Sequence, residues 1–304
     1  MTVESTHPWT GAVQYRYDYQ GDAAVEAALA KADAAFGPWA ALPLEKRSGF
    51  LRAAGAALRE RRGEIAGNAG AHIKKCVMEL GGSDPFIVLD DADLDRTVPM
   101  AVTSRFANAG QTCIAAKRFI VTAGIAEEFV RRFTEAAAAL RVGDPEHEAT
   151  TLAPMARRDL RDDLHEQVVA SIAAGARARV GCVPGPGPCE YPASILDHVA
   201  PGMPAYDQEL FGPVASILRV ADDDEAVRVA NDTRFGLGAS VWTRDAARGE
   251  ALVRRLQAGA CFVNAIVRSD VRLPFGGTKA SGFGRELAGH GIHEFMNIKT
   301  VYVD

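Results

Sequence analysis

From Pro85 onward, short apolar β-prone runs alternate with amphipathic helical stretches, and that alternation restricts the chain to an α/β layering with parallel strands. Phe86-Ile87-Val88-Leu89 is one such run, and Asp93 opens a helix beyond it. Residues 118–122 read as the next strand, and 125–140 carry Phe129, Phe133, Ala137 and Leu140 on one helical face. A further helix is predicted over 159–174, with strands over 193–196, 214–218, 240–242 and 261–264. The acidic run Asp222-Asp223-Asp224-Glu225 favours a helix N-terminus, where negative charge meets the dipole. Three Gly and three Pro within 180–189 exclude regular structure, so a surface loop is expected there, with Cys182 and Cys189 in it.

Upstream, 13–19 alternate as a half-buried strand. Gly21-Asp22 opens a helix with Val25, Leu29, Ala32 and Phe36 on one face, and a second helix follows Pro43 with Phe50, Leu51, Ala54, Leu58 and Ile65 apolar. Only eleven residues, 66–76, then precede the strand signal at Val77. One βαβ unit needs about 30, so no dinucleotide fold fits that interval. A Gly-x-Gly-x-x-Gly or Walker loop is also missing from the sequence.

Thirty-four Lys and Arg against 39 acids give a net charge of −5, with no basic cluster interleaved with aromatics, which argues against a nucleic-acid partner. No apolar run reaches the roughly 18 residues of a membrane span, and the first residues lack a basic then apolar leader, so the expected compartment is cytoplasmic. Five cysteines without a regular framework read as reduced thiols. His147-Glu148, His165-Glu166 and His293-Glu294 have no second histidine at helical spacing, and no metal site is expected.

The chemistry centres on Phe106-Ala107-Asn108-Ala109-Gly110-Gln111-Thr112-Cys113-Ile114-Ala115-Ala116-Lys117-Arg118. Its small residues leave the Cys113 sulfur open to a flat carbonyl carbon, although a free Cys is by itself as compatible with filling space. Upstream, Val77-Met78-Glu79-Leu80-Gly81-Gly82-Ser83-Asp84-Pro85 resembles the glutamate motif of the aldehyde dehydrogenase superfamily, and the Cys113 segment resembles its nucleophile motif. Gln208-Glu209-Leu210-Phe211-Gly212-Pro213-Val214 is similar to the glutamate-aromatic-glycine-proline motif. The stretch Pro274-Phe275-Gly276-Gly277-Thr278-Lys279-Ala280-Ser281-Gly282-Phe283-Gly284-Arg285-Glu286 is similar to the C-terminal signature, and Arg268-Ser269-Asp270 is closest to the succinate-semialdehyde dehydrogenase branch.

This resemblance implies an α/β fold with a parallel-sheet catalytic domain over 77–285, a remnant of the N-terminal and cofactor domain over 1–76, and an oligomerisation segment over 286–304. It implies Cys113 as nucleophile and Glu79 as base, with Asn264, Arg268 and Ser269 around the substrate and Glu209 and Phe211 as vestiges of nicotinamide-ribose binding. It also implies a homo-oligomer, dimer or tetramer, joined through β-prone ends such as 297–303. Because the short 66–76 interval leaves out the residues that grip the dinucleotide, no cofactor is expected. The leading expectation is cofactor-free work on a carbonyl or acyl substrate, such as condensation, cyclisation or hydrolysis. An NAD- or NADP-dependent dehydrogenase of succinate semialdehyde and a non-catalytic scaffold stay open beside it.

Overall fold

The computed structural model describes residues 2–18, 21–40 and 75–304. The chain divides into two compact units, the first drawing its described residues from 2–6, 13–18 and 21–40, the second holding 7–12 and 75–304. In the first, β1 (Thr2–Thr6) pairs antiparallel with β2 (Val13–Asp18), followed by the helix Asp22–Ala40. The half-buried strand expected over 13–19 is exposed throughout β2, because a lone hairpin has no sheet face to bury against. Val25 and Leu29 of the predicted helical face are partly covered and Ala32 is exposed. The helix expected after Pro43 lies outside the described residues.

In the second unit the strands are β3 (Met78–Glu79), β4 (Asp84–Val88), β5 (Ala116–Thr122), β6 (Arg177–Val180), β7 (Ser194–Asp197), β8 (Val214–Val220), β9 (Gly238–Trp242), β10 (Ala260–Val263) and β11 (Gly282–Phe283). Among the described residues, seven of them form one sheet in the order β10-β9-β4-β5-β8-β7-β6. Every neighbouring pair is parallel except the antiparallel edge β6-β7. Every residue of β4 and β5 is buried. Period-two alternation explains how: Phe86, Val88, Phe119 and Val121 enter the core on one face, while Ile87, Leu89 and Ile120 enter the core on the other. The first face is aromatic, with Phe86 stacked on Trp242 at 5.0 Å and Phe119 against Phe133 at 4.8 Å. The α/β parallel-sheet core read from the alternation is therefore the observed one.

Two helix starts follow the sequence signals. Asp93 caps Leu94–Phe106 by accepting from the Asp95 amide at 3.1 Å, and Asp222 caps Asp223–Asn231 by accepting from the Glu225 amide at 2.9 Å. The Gly/Pro stretch is irregular as expected beyond Val180, yet it does not lie wholly at the surface. Cys182 and Cys189 turn inward, 4% and 5% exposed, as free thiols, and the Cys182 amide donates to Ser194 Oγ at 2.8 Å. Buried backbone there takes side-chain partners, so the loop packs where composition alone predicts solvent. At the C-terminus, 297–303 form no strand: β propensity needs a partner edge, and none of the described residues pairs with this segment. Among the described residues no helix is long and apolar enough to cross a membrane.

Candidate active site

Cys113 lies between the helix Leu94–Phe106 and β5, on a turn built from an unusual backbone. Asn108, Ala109 and Gly110 are consecutively left-handed, with φ of 53°, 52° and 69°. Only Gly adopts this readily, and an Ala there costs roughly 1–2 kcal/mol, so the surroundings must impose it. Arg105 does so. Fully buried, its guanidinium donates to the carbonyls of Gly110 at 2.8 Å, Ala116 at 3.0 Å and Leu210 at 3.3 Å, and to that of Gly212. A methyl group on residue 110 would strike both this guanidinium and the Gly212 carbonyl, so the position requires glycine. Asn108 closes the turn by donating from Nδ2 to Gln111 O at 3.0 Å.

Glu79, upstream of Cys113, is held in the same place by the opposite end of the sequence. The pairing of β3 with β11 sets Glu79 opposite Gly282, and Leu80 N donates to Ser281 O at 3.1 Å, so the C-terminal signature anchors the strand that carries the carboxylate. The carboxylate lies beside the half-buried Cys113 thiol, near enough for its charge and a hydrogen bond to weigh on the thiol's titration. Burial first, then the charge of Glu79 and that hydrogen bond, push the thiol up to about 11; the Ile114 amide and the Lys117 ammonium pull the other way. The pair is a protonated thiol facing a proton acceptor, the arrangement a base-activated nucleophile needs.

Glu209 and Phe211 border this centre. Glu209 Oε1 accepts from Gly82 N at 3.2 Å and from Lys117 Nζ at 3.0 Å, while Phe211, 38% exposed, has the same ammonium 5.9 Å from its ring centroid. Gly81, at φ +89°, lies so close that any side chain would collide with Glu209 Oε2. Asn264, Arg268 and Ser269 follow β10. Asn264, left-handed at φ 53°, accepts from Thr243 N on Oδ1 at 3.0 Å and from Arg96 on its carbonyl at 2.8 Å. Arg268 and Ser269 are exposed. The structure thus joins Cys113, Glu79, Glu209 and Phe211 by direct or one-residue contacts. Asn264 instead makes its hydrogen bonds at the end of β9 and on the helix Leu94–Phe106.

Arg105 and Lys117 did not stand out from the sequence. The signal was there for Lys117: it and Arg118 are two cations inside the otherwise apolar run Ala115-Ala116-Lys117-Arg118-Phe119-Ile120-Val121, and such cations are buried only if paired. Among the described residues no group of three His, Cys, Asp or Glu could hold a metal ion.

Comparison with known proteins adds three findings. The model of the aldehyde dehydrogenase family matches residues 1–69 and 63–301. The chain is 52% identical over 241 residues to succinate semialdehyde dehydrogenase [NAD(P)+] Sad of Escherichia coli (strain K12), covering 79% of this chain and 52% of that protein. It is also 52% identical over 241 residues to a probable succinate-semialdehyde dehydrogenase [NADP(+)] of Synechocystis, covering 79% and 53%. Among solved structures it resembles succinic semialdehyde dehydrogenase from Streptococcus pyogenes in complex with NADP+, at 35% identity and a TM-score of 0.74, over 82% of this chain and 54% of that one. The chain spans about half the length of the curated relatives it matches. These findings overturn the expectation that no cofactor is involved, since relatives at this identity are named as NAD(P)+ enzymes. An interval such as 66–76 counts only the contacts missing from that interval, and says nothing of contacts supplied from elsewhere.

Proposed function

The chain belongs to the aldehyde dehydrogenase family, and from that premise we propose that it carries the thiol and carboxylate of an NAD(P)-dependent dehydrogenase acting on succinate semialdehyde or a closely similar small aldehyde. The observation that carries the proposal is the Glu79 carboxylate, held by the β3–β11 pairing, set beside the half-buried Cys113 thiol.

In the proposed reaction Glu79 takes the thiol proton as the sulfur bonds to the aldehyde carbon, giving a thiohemiacetal on Cys113. NAD(P)+, when bound, supplies the acceptor for the hydride that leaves that carbon. The acyl group then rests on sulfur as a thioester. Glu79 releases the thiol proton to solvent and then accepts one from the water that attacks the thioester; the carbon–sulfur bond breaks, and the acid leaves as Glu79 returns that proton to Cys113.

The residues present fit the nicotinamide-ribose half of the cofactor. Glu209, one-fifth exposed, offers Oε2 beside the space that Gly81 leaves open, an acceptor suited to a ribose hydroxyl, and the half-exposed Phe211 ring offers an apolar face. We assign Asn264 and Ser269 to the acyl pocket and Arg268 to the substrate's distal carboxylate, supported by its exposed guanidinium. Arg268→Ala is then expected to raise KM for succinate semialdehyde about 10- to 100-fold, the worth of one charge-assisted pair. KM for an uncharged aldehyde of equal length should stay put; an equal rise for both would remove Arg268 from substrate recognition.

The proposal is tested by mixing the purified chain with NAD+ or NADP+ and succinate semialdehyde and following reduced nicotinamide, with Cys113→Ala as the blank. Cys113-dependent reduction supports it, and a rate equal to the blank overturns it. Self-association belongs to the same reading, supported by the exposed Ile298, Val301 and Tyr302 near the C-terminus. Sedimentation is expected to show a dimer or larger species, and a monomer at all concentrations would refute this part.

A further inference from the structure

Lys117 is the second residue of the fully buried β5, and its side chain is 1% exposed. Burying an ammonium costs several kcal/mol unless partners replace its water. An apolar side chain of equal length would fill the space without that cost, so the partners show what the cation contributes. Lys117 Nζ donates to Cys113 O at 2.7 Å, to Thr112 O at 3.1 Å, and to Glu209 Oε1 at 3.0 Å. Three N–H groups meet three acceptors, two of them in the nucleophile turn and one in the segment that carries Phe211.

One of these bonds has a geometric consequence. The peptide linking Cys113 to Ile114 is planar and trans, so its carbonyl and its N–H point in opposite directions. With Cys113 O drawn to Lys117, the Ile114 N–H must turn away from the ammonium, so this bond fixes the orientation of the peptide that adjoins the sulfur-bearing residue. Glu209 Oε1 also accepts from Gly82 N, three residues beyond Glu79, so the same ammonium ties together the segments of the nucleophile, the base and Phe211.

We infer that Lys117 is a positioning residue for the Cys113 nucleophile: by holding the Thr112 and Cys113 carbonyls it fixes the backbone that carries the sulfur, and by holding Glu209 it fixes that turn against the rest of the site. This inference rests on the proposed dehydrogenase reaction for its purpose, though not for its test. Its ammonium also favours the thiolate directly by charge.

The test is the pH profile of Cys113 alkylation by iodoacetamide, read by intact-protein mass, with Cys113→Ala correcting for Cys76, Cys182, Cys189 and Cys261. Lys117→Met loses both the hold on the Cys113 carbonyl and the nearby cation, so its midpoint is expected above that of wild type, with a rate at pH 8 lower by about 10-fold for each unit of displacement. Lys117→Arg, which keeps charge and donors, is expected to restore part of the rate. A folded Lys117→Met whose profile superimposes on wild type overturns the inference, because a merely space-filling lysine would not move the thiol. Where Lys117→Met does not fold, Lys117→Gln carries the same comparison: a raised midpoint supports the inference, and superposition overturns it. Alkylation needs neither aldehyde nor NAD(P)+. A shifted profile without turnover therefore defeats only the dehydrogenase reading, and turnover with an unshifted profile defeats only the role of Lys117.

Discussion

Arg105→Met is expected to destabilise the folded chain by about 3–5 kcal/mol, the cost of removing one side of a buried charged network. Arg105 is the hub of the nucleophile turn: its guanidinium serves carbonyls from Gly110, from Ala116 on β5, and from Leu210 and Gly212 more than a hundred residues away. Methionine fills much of the volume but leaves those carbonyls buried without a donor, and it releases three left-handed residues from the contact that imposes them. Urea unfolding of wild type and variant would measure the loss through the midpoint at unchanged slope. A variant as stable as wild type would mean that water or rearranged backbone satisfies those carbonyls, and the role assigned to Arg105 would fail. Burial pulls this guanidinium down to about 9, with the charge of Glu209 opposing, so at neutral pH it remains a cation and a full set of donors.

The second large effect separates the nucleophile from its base by opposite signs. Cys113→Ala is expected to lower turnover of the aldehyde by at least about 10⁴-fold, since no other group can form the covalent intermediate. Glu79→Gln is expected to lower turnover by about 10²- to 10⁴-fold, the usual worth of a positioned base. The same substitution should make Cys113 easier to alkylate at pH 8. The sign follows from the causes of the thiol's displacement: the charge of Glu79 and its hydrogen bond both hold the proton on sulfur, so removing them lowers the thiol from about 11 and enlarges the thiolate fraction. Slower catalysis with faster alkylation distinguishes loss of a base from loss of folding, which would slow the first without this pH signature. Slower alkylation in Glu79→Gln would show instead that Glu79 supports the thiolate, and the assignment of Glu79 as the base would have to be withdrawn.

The eleven residues of 66–76 illustrate how far spacing alone carries. They exclude a βαβ unit in that interval, which is a statement about geometry. The step from there to a reaction without cofactor fails because dinucleotide contacts are counted over a whole protein. The relatives are about twice as long as the matched span and bear NAD(P)+ in their names. Likewise, 297–303 have the composition of a strand but form none, since strand formation depends on an available edge as well as on propensity.

What the sequence by itself determined was the local and the periodic. Alternation of apolar runs predicted β4, β5, β8, β9 and β10 of a parallel sheet, and Asp93 and Asp222 marked helix starts, because these features depend on residues a few positions apart. Three motifs pointed to Cys113, Glu79, Glu209 and Phe211 as candidate site residues. Only the tertiary structure decided how that site is held. The partners of Lys117 and Arg105 come from 110–116 and from 209–212, and β3 is fixed by β11, some two hundred residues downstream. A cation in a sequence shows its charge but not its burial. The cost of removing it from water, and hence its role, exists only once distant carbonyls and a carboxylate have been folded around it.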